Sequence, residues 1–238
     1  MDYFLIDPKD IHDRAATISG EEFAHLSKVL RMKAGDRITL LDGEDHSFLA
    51  VIRSVKKTHA ECDILEVNER VNEPGVDVTL AVSLLRNPSR FDFLVEKATE
   101  LGARSIAPML CERTIPRSEK HARFEKIARS AMKQCGRSYL PRIQPLSEFR
   151  DVIENSAAFG LRLIPHEQTG QSKFIGSVLH QQPGAASVLI AIGPEGGFSD
   201  EELNLAVEKG FVPVSLGARR LRSETAAISS VSWVVGGR

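Results

Sequence analysis

A glycine-rich segment between a buried strand and a helix is the strongest chemical signal in this sequence. The apolar run Val188–Ile192 predicts a strand, Gly193-Pro194-Glu195-Gly196-Gly197 follows it, and Ser199 with Glu202 predicts a capping box that begins a helix. Ligands of open α/β sheets bind where such turns follow the strands. The turn lacks the P-loop ending and the GxGxxG spacing, so an adenosine-type ligand without phosphates fits it better. The alternative is a tight turn that binds nothing.

A second loop of the same kind follows the next predicted strand. The segment Leu216–Ala226 begins at a strand end and runs into a predicted helix. Two such loops side by side would form one crevice. Arg222 and Glu224 fall where the helix begins, a position suited to recognising charge that develops on a substrate. Glu224 has a second interpretation, in which it only complements the helix dipole, and we expect Arg219 and Arg220 to be solvated.

The predicted helix over residues 120–135 carries an almost purely cationic face. At 100° per residue, Phe124, Ala128 and Met132 fall on one side, and basic residues without acids fall on the opposite side. This face suits contacts with a phosphate backbone, whereas a solvated surface is the usual alternative for charged helix faces. We therefore predict nucleic-acid contacts on this face, and we expect Arg137, the last of its cations, to reach further into the site. The basic residues are Arg123, Lys126, Arg129, Lys133 and Arg137.

Composition and cysteine usage exclude other classes of protein. The 238 residues are 42% hydrophobic and 26% charged, which argues against extensive disorder, and 31 basic residues nearly balance 32 acidic ones. The three cysteines form no CxxC pair, and Gly170 stands where an HExxH motif starting at His166 needs histidine, so we predict no metal site. With no apolar run of membrane-spanning length and no visible secretory signal, we expect a cytoplasmic protein without a membrane partner.

The pattern of apolar residues changes near Asn72-Glu73-Pro74-Gly75. Before this turn, short strands and one helix opened by a capping box of Ser19 and Glu22 predict a small barrel. After it, strands alternate with helices, which predicts an α/β domain with a parallel sheet covered on both faces. We expect Ser223 to be the N-cap of the last helix. The predicted strands are 3–6, 36–41, 47–55, 59–65, 76–85, 105–110, 158–164, 188–192 and 212–216, and the predicted helices are 20–32, 90–101, 120–135, 147–155, 170–180, 199–209 and 224–235.

Taken together, these motifs resemble one known family. They look like the signatures of the small-subunit ribosomal RNA uracil-N3 methyltransferases, which belong to the SPOUT superfamily of knotted methyltransferases. The resemblance covers nearly the whole chain, and the combination is far more specific than any one motif. The matching segments are HLSKVLRMKAGDRITLLDG (25–43), EKATELGA (96–103), KQCGRSYLPRI (133–143), the HE pair at 166–167, GPEGGFSDEE (193–202) and VSLGARRLRSETAA (214–227).

The resemblance implies a PUA-like β-barrel domain over residues 1–72 and a SPOUT-type α/β domain over residues 73–238, with a C-terminal trefoil knot. It also implies a homodimer, S-adenosyl-L-methionine as cofactor, 16S rRNA of the small ribosomal subunit as substrate, and an active site completed at the dimer interface. Arg31, Lys33 and Arg86 join the basic helix as predicted RNA contacts. The implied cofactor residues are Leu163, His166, Glu167, Ile192, Gly193, Pro194, Glu195, Gly196, Gly197, Leu216, Gly217, Leu221 and Arg222.

The sequence departs from the family pattern at a few positions. Ala218 stands where the family often has proline, Arg220 where it often has an apolar residue, and Ser223 where threonine is usual. The stretch Leu84–Pro88 replaces a lysine-rich version, which leaves open which basic residue after the first strand of the second domain contacts RNA.

The chemistry of uracil methylation agrees with the residues of the second loop. Uracil N3 carries a proton that must leave before or during methyl transfer. Arg222 could stabilise the negative charge on the uracil oxygens, and Glu224 or Glu195 could accept the proton. Because N3 lies on the Watson–Crick edge, the target must be unpaired or flipped out of a helix.

Three alternative functions predict sequence features that differ from those of a ribosomal RNA methyltransferase or overlap with them. A non-catalytic RNA-binding assembly factor would not need two glycine-containing loops, so their presence counts against it. A nicotinamide-dependent oxidoreductase needs a GxGxxG turn after an early strand and an acidic ribose ligand, and the sequence has neither. A methyltransferase acting on tRNA differs from the ribosomal interpretation only through the whole-chain resemblance.

Overall fold

The structure is a computed structural model that describes residues 2–166 and 173–237. It divides into two compact units: Met1–Glu73 with Met132–Leu140, and Pro74–Ala131 with Pro141–Arg238. The sequence pattern predicts a single boundary near residue 72, which places residues 132–140 in the second domain. Those residues join the first unit because they bond to its turns, as shown below.

The first unit is built on one mixed sheet, which has six strands within the described residues. The strand order is β1-β4-β5-β6-β3-β2, in which β1 and β4 are parallel and the other pairs are antiparallel. The turn at Asp42-Gly43 joins β4 to β5 as predicted, and Phe4, Leu40 and Ile52 are buried in the core. The sequence pattern does not predict β2 or β3. The strands are β1 (Tyr3–Leu5), β2 (Ile11–His12), β3 (Ala15–Ser19), β4 (Arg37–Leu41), β5 (His46–Val55) and β6 (His59–Glu69).

The helical segment between β3 and β4 is shorter than predicted and of mixed type. Helix α1 covers Gly20–Ala24 and continues as a π-helix over His25–Val29. Ser19 is the N-cap, but its side chain makes no capping hydrogen bond, so the predicted capping box is wrong. The segment ends before Met32 because Arg31 adopts a left-handed φ of 54°.

The second unit contains a sheet whose strand pairs are all parallel over its described residues. Its order is β10-β8-β7-β13-β11-β14-β12, and β9 also pairs with β8. The strands are β7 (Asp77–Ser83), β8 (Ser105–Leu110), β9 (Arg142–Ile143), β10 (Ser147–Glu148), β11 (Leu161–Pro165), β12 (Lys173–Phe174), β13 (Ser187–Ile192) and β14 (Val212–Ser215). The helices are α2 (Pro88–Glu100), α3 (His121–Cys135), α4 (Phe149–Glu154), α5 (Ile175–Gln181), α6 (Asp200–Glu208) and α7 (Ser223–Gly236), and residues 132–135 of α3 belong to the first unit.

Both faces of this parallel sheet are covered. Ala81 and Leu189 pack in one cluster with residues of α4 and α6, whereas α7 packs against α2, β7 and β13. The neighbouring residues Leu80 and Ile190 are fully buried as well. Because successive side chains of a strand point to opposite faces, apolar layers lie on both sides. The prediction of an α/β fold with a parallel sheet is confirmed, and the trefoil knot stays a prediction.

Several predicted boundaries in this unit are wrong. The expected helix over 147–155 starts with strand β10, because Ser147 pairs with Met109 of β8. The expected strand 158–164 begins only at Leu161, and the expected helix 170–180 begins at Ile175; residues 170–172 lie outside the described part. Arg222, not Ser223, is the N-cap of α7.

An ion pair inside the first unit holds residues 132–140 there. Arg137 Nη2 lies 2.6 Å from Glu73 Oε2, and the two side chains are 2% and 1% exposed. Tyr139 donates its backbone N–H to Glu73 Oε1 at 3.0 Å, and Asn72 Nδ2 donates to the carbonyl of Gly136 at 2.9 Å. The prediction that Arg137 contacts RNA is therefore wrong, because its guanidinium is buried against a carboxylate.

Replacing Arg137 with alanine leaves a buried carboxylate unpaired, so we expect Arg137→Ala to lower the free energy of unfolding by about 3–5 kcal/mol. The double variant Arg137→Met/Glu73→Gln removes both charges and keeps an acceptor for Tyr139, so it should cost less. Arg53→Ala breaks exposed pairs with Asp63 and Glu61 and should cost at most about 1 kcal/mol. Urea unfolding measures all three, and a loss below about 1 kcal/mol for Arg137→Ala would contradict the structural role.

Candidate functional site

A crevice of about 560 Å³ lies in the second unit. It is lined by the ends of three neighbouring strands and the segments that follow them: Pro165 of β11 with His166, 193–198 after β13, and 216–223 after β14. These segments meet because β11 pairs with β13 on one side and with β14 on the other, all in parallel. The sequence prediction that two glycine-containing loops form one crevice agrees with this arrangement.

The structure brings most of the predicted cofactor residues to this crevice. Leu163 is an exception, because it lies inside β11, is fully buried and pairs with Ile190 and Val212. Glu167 lies outside the described residues. Those that line the crevice are His166, Ile192, Gly193, Pro194, Glu195, Gly196, Gly197, Leu216, Gly217, Leu221 and Arg222.

The first glycine turn has a tightly defined shape. Gly197 adopts a φ of +72°, and its N–H donates to the carbonyl of Pro194 at 2.9 Å. A Cβ atom at Gly193 would lie 3.2 Å from the ring of Phe198, so the turn packs closely on that ring. Ser199 and Glu202 then form the predicted capping box at the start of α6, with Glu202 Oε2 accepting from the N–H of Ser199 at 2.9 Å.

One residue of the crevice was missed by the sequence analysis. Arg113, in the loop after β8, lines the crevice, and its Nη1 donates to the carbonyl oxygens of Gly196 at 3.0 Å and Phe198 at 3.1 Å. It carries no motif, and it lies about 80 positions from the turn that it contacts, so only the pairing of β7 with both β8 and β13 brings it there.

The second loop presents Arg222 at the start of α7. Gly217 adopts a φ of +116°, which side chains with a Cβ rarely allow, and Ser215 Oγ accepts its N–H at 3.2 Å. Arg222 is exposed, has an extended backbone as the N-cap, and forms no ion pair with any residue in the described ranges. Its charge is therefore available to a ligand.

The two predicted acids lie in different environments. Glu195 lines the crevice, and its Oε1 accepts the backbone N–H of Arg86 at 3.0 Å. Glu224 does not line the crevice: its side chain is 10% exposed, and Oε1 lies 3.6 Å from Nε of Arg90. Its Oε2 is buried and has no hydrogen-bond partner among the described residues. The prediction that Glu224 faces the crevice is thus not supported, and within residues 2–166 and 173–237 the carboxylate that lines the crevice is Glu195.

The predicted RNA contacts divide into paired and unpaired cations. Arg123 forms three hydrogen bonds with Asp92 at 2.6–3.0 Å, which raise the pKa of its guanidinium, and Lys133 Nζ lies 2.6 Å from Glu22. Five others are exposed and have no ion pair within 2–166 and 173–237: Arg31, Lys33, Arg86, Lys126 and Arg129.

Two further sequence predictions concern metals and membranes. Among the described residues, no group of three or more His, Cys, Asp or Glu side chains could hold a metal ion. None of the helices found there is long and apolar enough to span a membrane. Burial raises the pKa of the Cys62 thiol to about 11 and that of the Cys111 thiol further still, so neither is a thiolate near neutral pH.

Comparison with known proteins defines the class of this chain. The RNA methyltransferase domain family matches residues 72–235, and the RNA methyltransferase PUA domain family matches residues 18–65. The ribosomal RNA small subunit methyltransferase E of Synechocystis is 34% identical over 97% of this chain and 76% of its own, and that of Bacillus subtilis is 29% identical over 97% and 95%. The chain belongs to the ribosomal RNA small subunit methyltransferase E family, as the resemblance predicted.

Two solved structures superpose on nearly the whole length of this chain. The Neisseria gonorrhoeae ribosomal RNA small subunit methyltransferase E, bound to S-adenosyl methionine, superposes with a TM-score of 0.86 at 30% identity, covering 98% of this chain and 95% of the other. Lpg2936 of Legionella pneumophila, in complex with the same cofactor, gives 0.82 at 32% identity over 98% and 96%.

Proposed function

We propose that this protein is an S-adenosyl-L-methionine-dependent methyltransferase that methylates N3 of a specific uridine in 16S rRNA of the small ribosomal subunit. The observation that carries the proposal is the crevice at the ends of β11, β13 and β14, because it is formed by the loops that carry the family signature. The full-length similarity to small-subunit methyltransferases supports the choice of RNA.

The crevice suits an adenosine-type cofactor. Its volume of about 560 Å³ lies in the range of small-molecule sites. Gly197 and Gly217 line the crevice, and a Cβ atom at either would meet nothing within 4 Å, so a ligand can approach their main chain closely, as adenosine recognition by backbone edges requires. Ile192 and Leu221 add apolar surface for the flat base. When bound, the cofactor supplies a methyl group on a positively charged sulfur.

Two side chains of the crevice fit the needs of the uracil. The reaction replaces the N3–H bond by an N3–methyl bond, so the proton of N3 must pass to an acceptor. Glu195 is the crevice carboxylate, and the backbone N–H of Arg86 fixes one of its oxygens. Arg222 is the exposed cation at the start of α7, where it stabilises the negative charge that develops on the uracil oxygens.

The flanking RNA is held by the unpaired cations. Lys126 and Arg129 on α3 and Arg86 after β7 are exposed and free of ion pairs within the described chain, which suits them for phosphate contacts. Arg31 and Lys33 provide the same chemistry in the first unit. The homodimer with a shared active site, the cytoplasmic location and the absence of a metal remain predictions of the sequence.

The function is tested by methyl transfer from labelled S-adenosylmethionine to three substrates: small subunits from a strain lacking the enzyme, naked 16S rRNA and bulk tRNA. We expect label in the small-subunit RNA, located by nucleoside mass spectrometry at N3 of uridine. Label in tRNA alone would replace the proposed substrate. Cofactor binding without any incorporation would favour a different RNA, and neither binding nor incorporation would leave the RNA-binding assembly factor.

Substitutions in the crevice test the assigned roles. Arg222→Ala should lower kcat about 10²–10³-fold, because it removes stabilisation of the charged uracil. Glu195→Gln should lower kcat about 10²-fold or more, because the amide accepts no proton. Glu224→Gln is the matched control and should change kcat by much less, since Glu224 lies outside the crevice. Single-turnover kinetics at saturating cofactor measure these rates; full activity of Arg222→Ala, or a reversed order of the two glutamine variants, would overturn the assignments.

The division of the cations predicts different salt dependences of RNA binding. Each phosphate contact contributes about 0.7 to the slope of log K against log salt concentration for single-stranded RNA. Lys126→Ala and Arg129→Ala should each reduce the slope by about this amount. The control Arg123→Gln/Asp92→Asn removes an internal pair without changing net charge and should leave the slope unchanged. Equal reductions in all three would mean that Arg123 leaves Asp92 to bind RNA.

A further inference from the structure

Arg113 is the only side chain outside the turn for which the described residues show hydrogen bonds to the carbonyls of Gly196 and Phe198. One nitrogen, Nη1, donates to both oxygens. These two carbonyls flank Gly197, whose φ of +72° lies in the left-handed region. The guanidinium therefore fixes the turn on both sides of the residue whose backbone has the most freedom.

The contact also leaves little room for a side chain at Gly196. A Cβ atom at Gly196 would lie 3.3 Å from Cβ and 3.4 Å from Cδ of Arg113. The aliphatic part of Arg113 thus lies directly on the glycine backbone, while its charged end reaches past it to the carbonyls. Packing and hydrogen bonding act on the same three residues of the turn.

The loop that carries Arg113 is itself anchored on two sides. Thr114 Oγ1 accepts the N–H of Cys111 at 2.8 Å and lies 2.7 Å from Ser83 Oγ at the end of β7. Glu112 donates its backbone N–H to Glu202 Oε1 at 2.8 Å, and Glu202 is the capping-box residue of α6. The base of Arg113 is therefore fixed relative to both the sheet and the helix that follows the turn.

The charge of Arg113 has no carboxylate partner among the described residues. Its described hydrogen bonds go to neutral carbonyl oxygens, which a charged donor binds more strongly than a neutral one. An arginine held in this way contributes to the shape of the turn and not to a network of ion pairs.

We propose that Arg113 is a positioning residue of the methyltransferase, holding Gly196–Phe198 in the shape that binds the cofactor. The inference rests on the proposed function, since it assigns this turn to the cofactor. It adds a residue from a different part of the chain, outside both signature loops, to the determinants of cofactor affinity.

Binding of S-adenosylmethionine to the full-length protein, measured by calorimetry, tests the proposal. Arg113→Ala should weaken binding at least about tenfold, because a turn free to change shape must be ordered on binding. Arg113→Lys keeps the charge and one donor and should recover part of the loss. Arg117→Ala removes an exposed cation from the same loop and should bind as the unaltered protein does.

Kinetics separate positioning from a general loss of structure. A positioning role raises KM for S-adenosylmethionine while kcat at saturation changes little, whereas partial unfolding lowers kcat and leaves KM unchanged. Arg113→Ala binding within twofold of the unaltered protein, or Arg113→Lys no better than Arg113→Ala, would overturn the inference and leave the proposed function intact. If the unaltered protein itself binds no cofactor, the proposed function fails first.

Discussion

The parallel pairing of β11 between β13 and β14 is the constraint on which the site depends. These strands are separated along the chain by helices, yet their hydrogen-bonded registers place their carboxyl ends at one edge of the sheet. The loops that follow these strands therefore all begin at this edge. A glycine turn, a histidine-bearing segment and the N-cap of α7 therefore meet in one crevice, and the apolar layers on both faces hold the strands that carry them.

The shape of the crevice depends on contacts that cross the sheet. Arg113 reaches it from the loop after β8, and Arg86 fixes Glu195 from the loop after β7. Both contacts exist because β7 lies between β8 and β13 in the sheet. The chemical groups of the signature loops are thus placed by residues that have no signature of their own, and these act through main-chain carbonyls and amides.

Some sequence signals that involve only neighbouring residues are confirmed by the structure. The capping box at Ser199 and Glu202 and the turn at Asp42-Gly43 depend on neighbouring residues, and the structure has both. The predicted capping box at Ser19 and the predicted N-cap at Ser223 are wrong. A serine can lie at the start of a helix without its side chain accepting a backbone N–H. The strand order could not be read from the sequence, since each apolar strand of a parallel sheet resembles the others. Arg113 was missed for that reason.

The charge pattern of the sequence does not show which cations are paired with carboxylates in the structure. The cationic face predicted for α3 counts every basic residue equally, but the structure separates them by partners that lie far away in sequence. Arg137 is buried against Glu73, Lys133 is paired with Glu22, and Arg123 is paired with Asp92. A buried pair is held by the cost of separating it. An exposed pair is weaker, but its carboxylate still offsets the charge of the cation and repels a phosphate. We therefore expect the RNA contacts to be determined first by which cations have no carboxylate partner, and only then by where they lie on the helix.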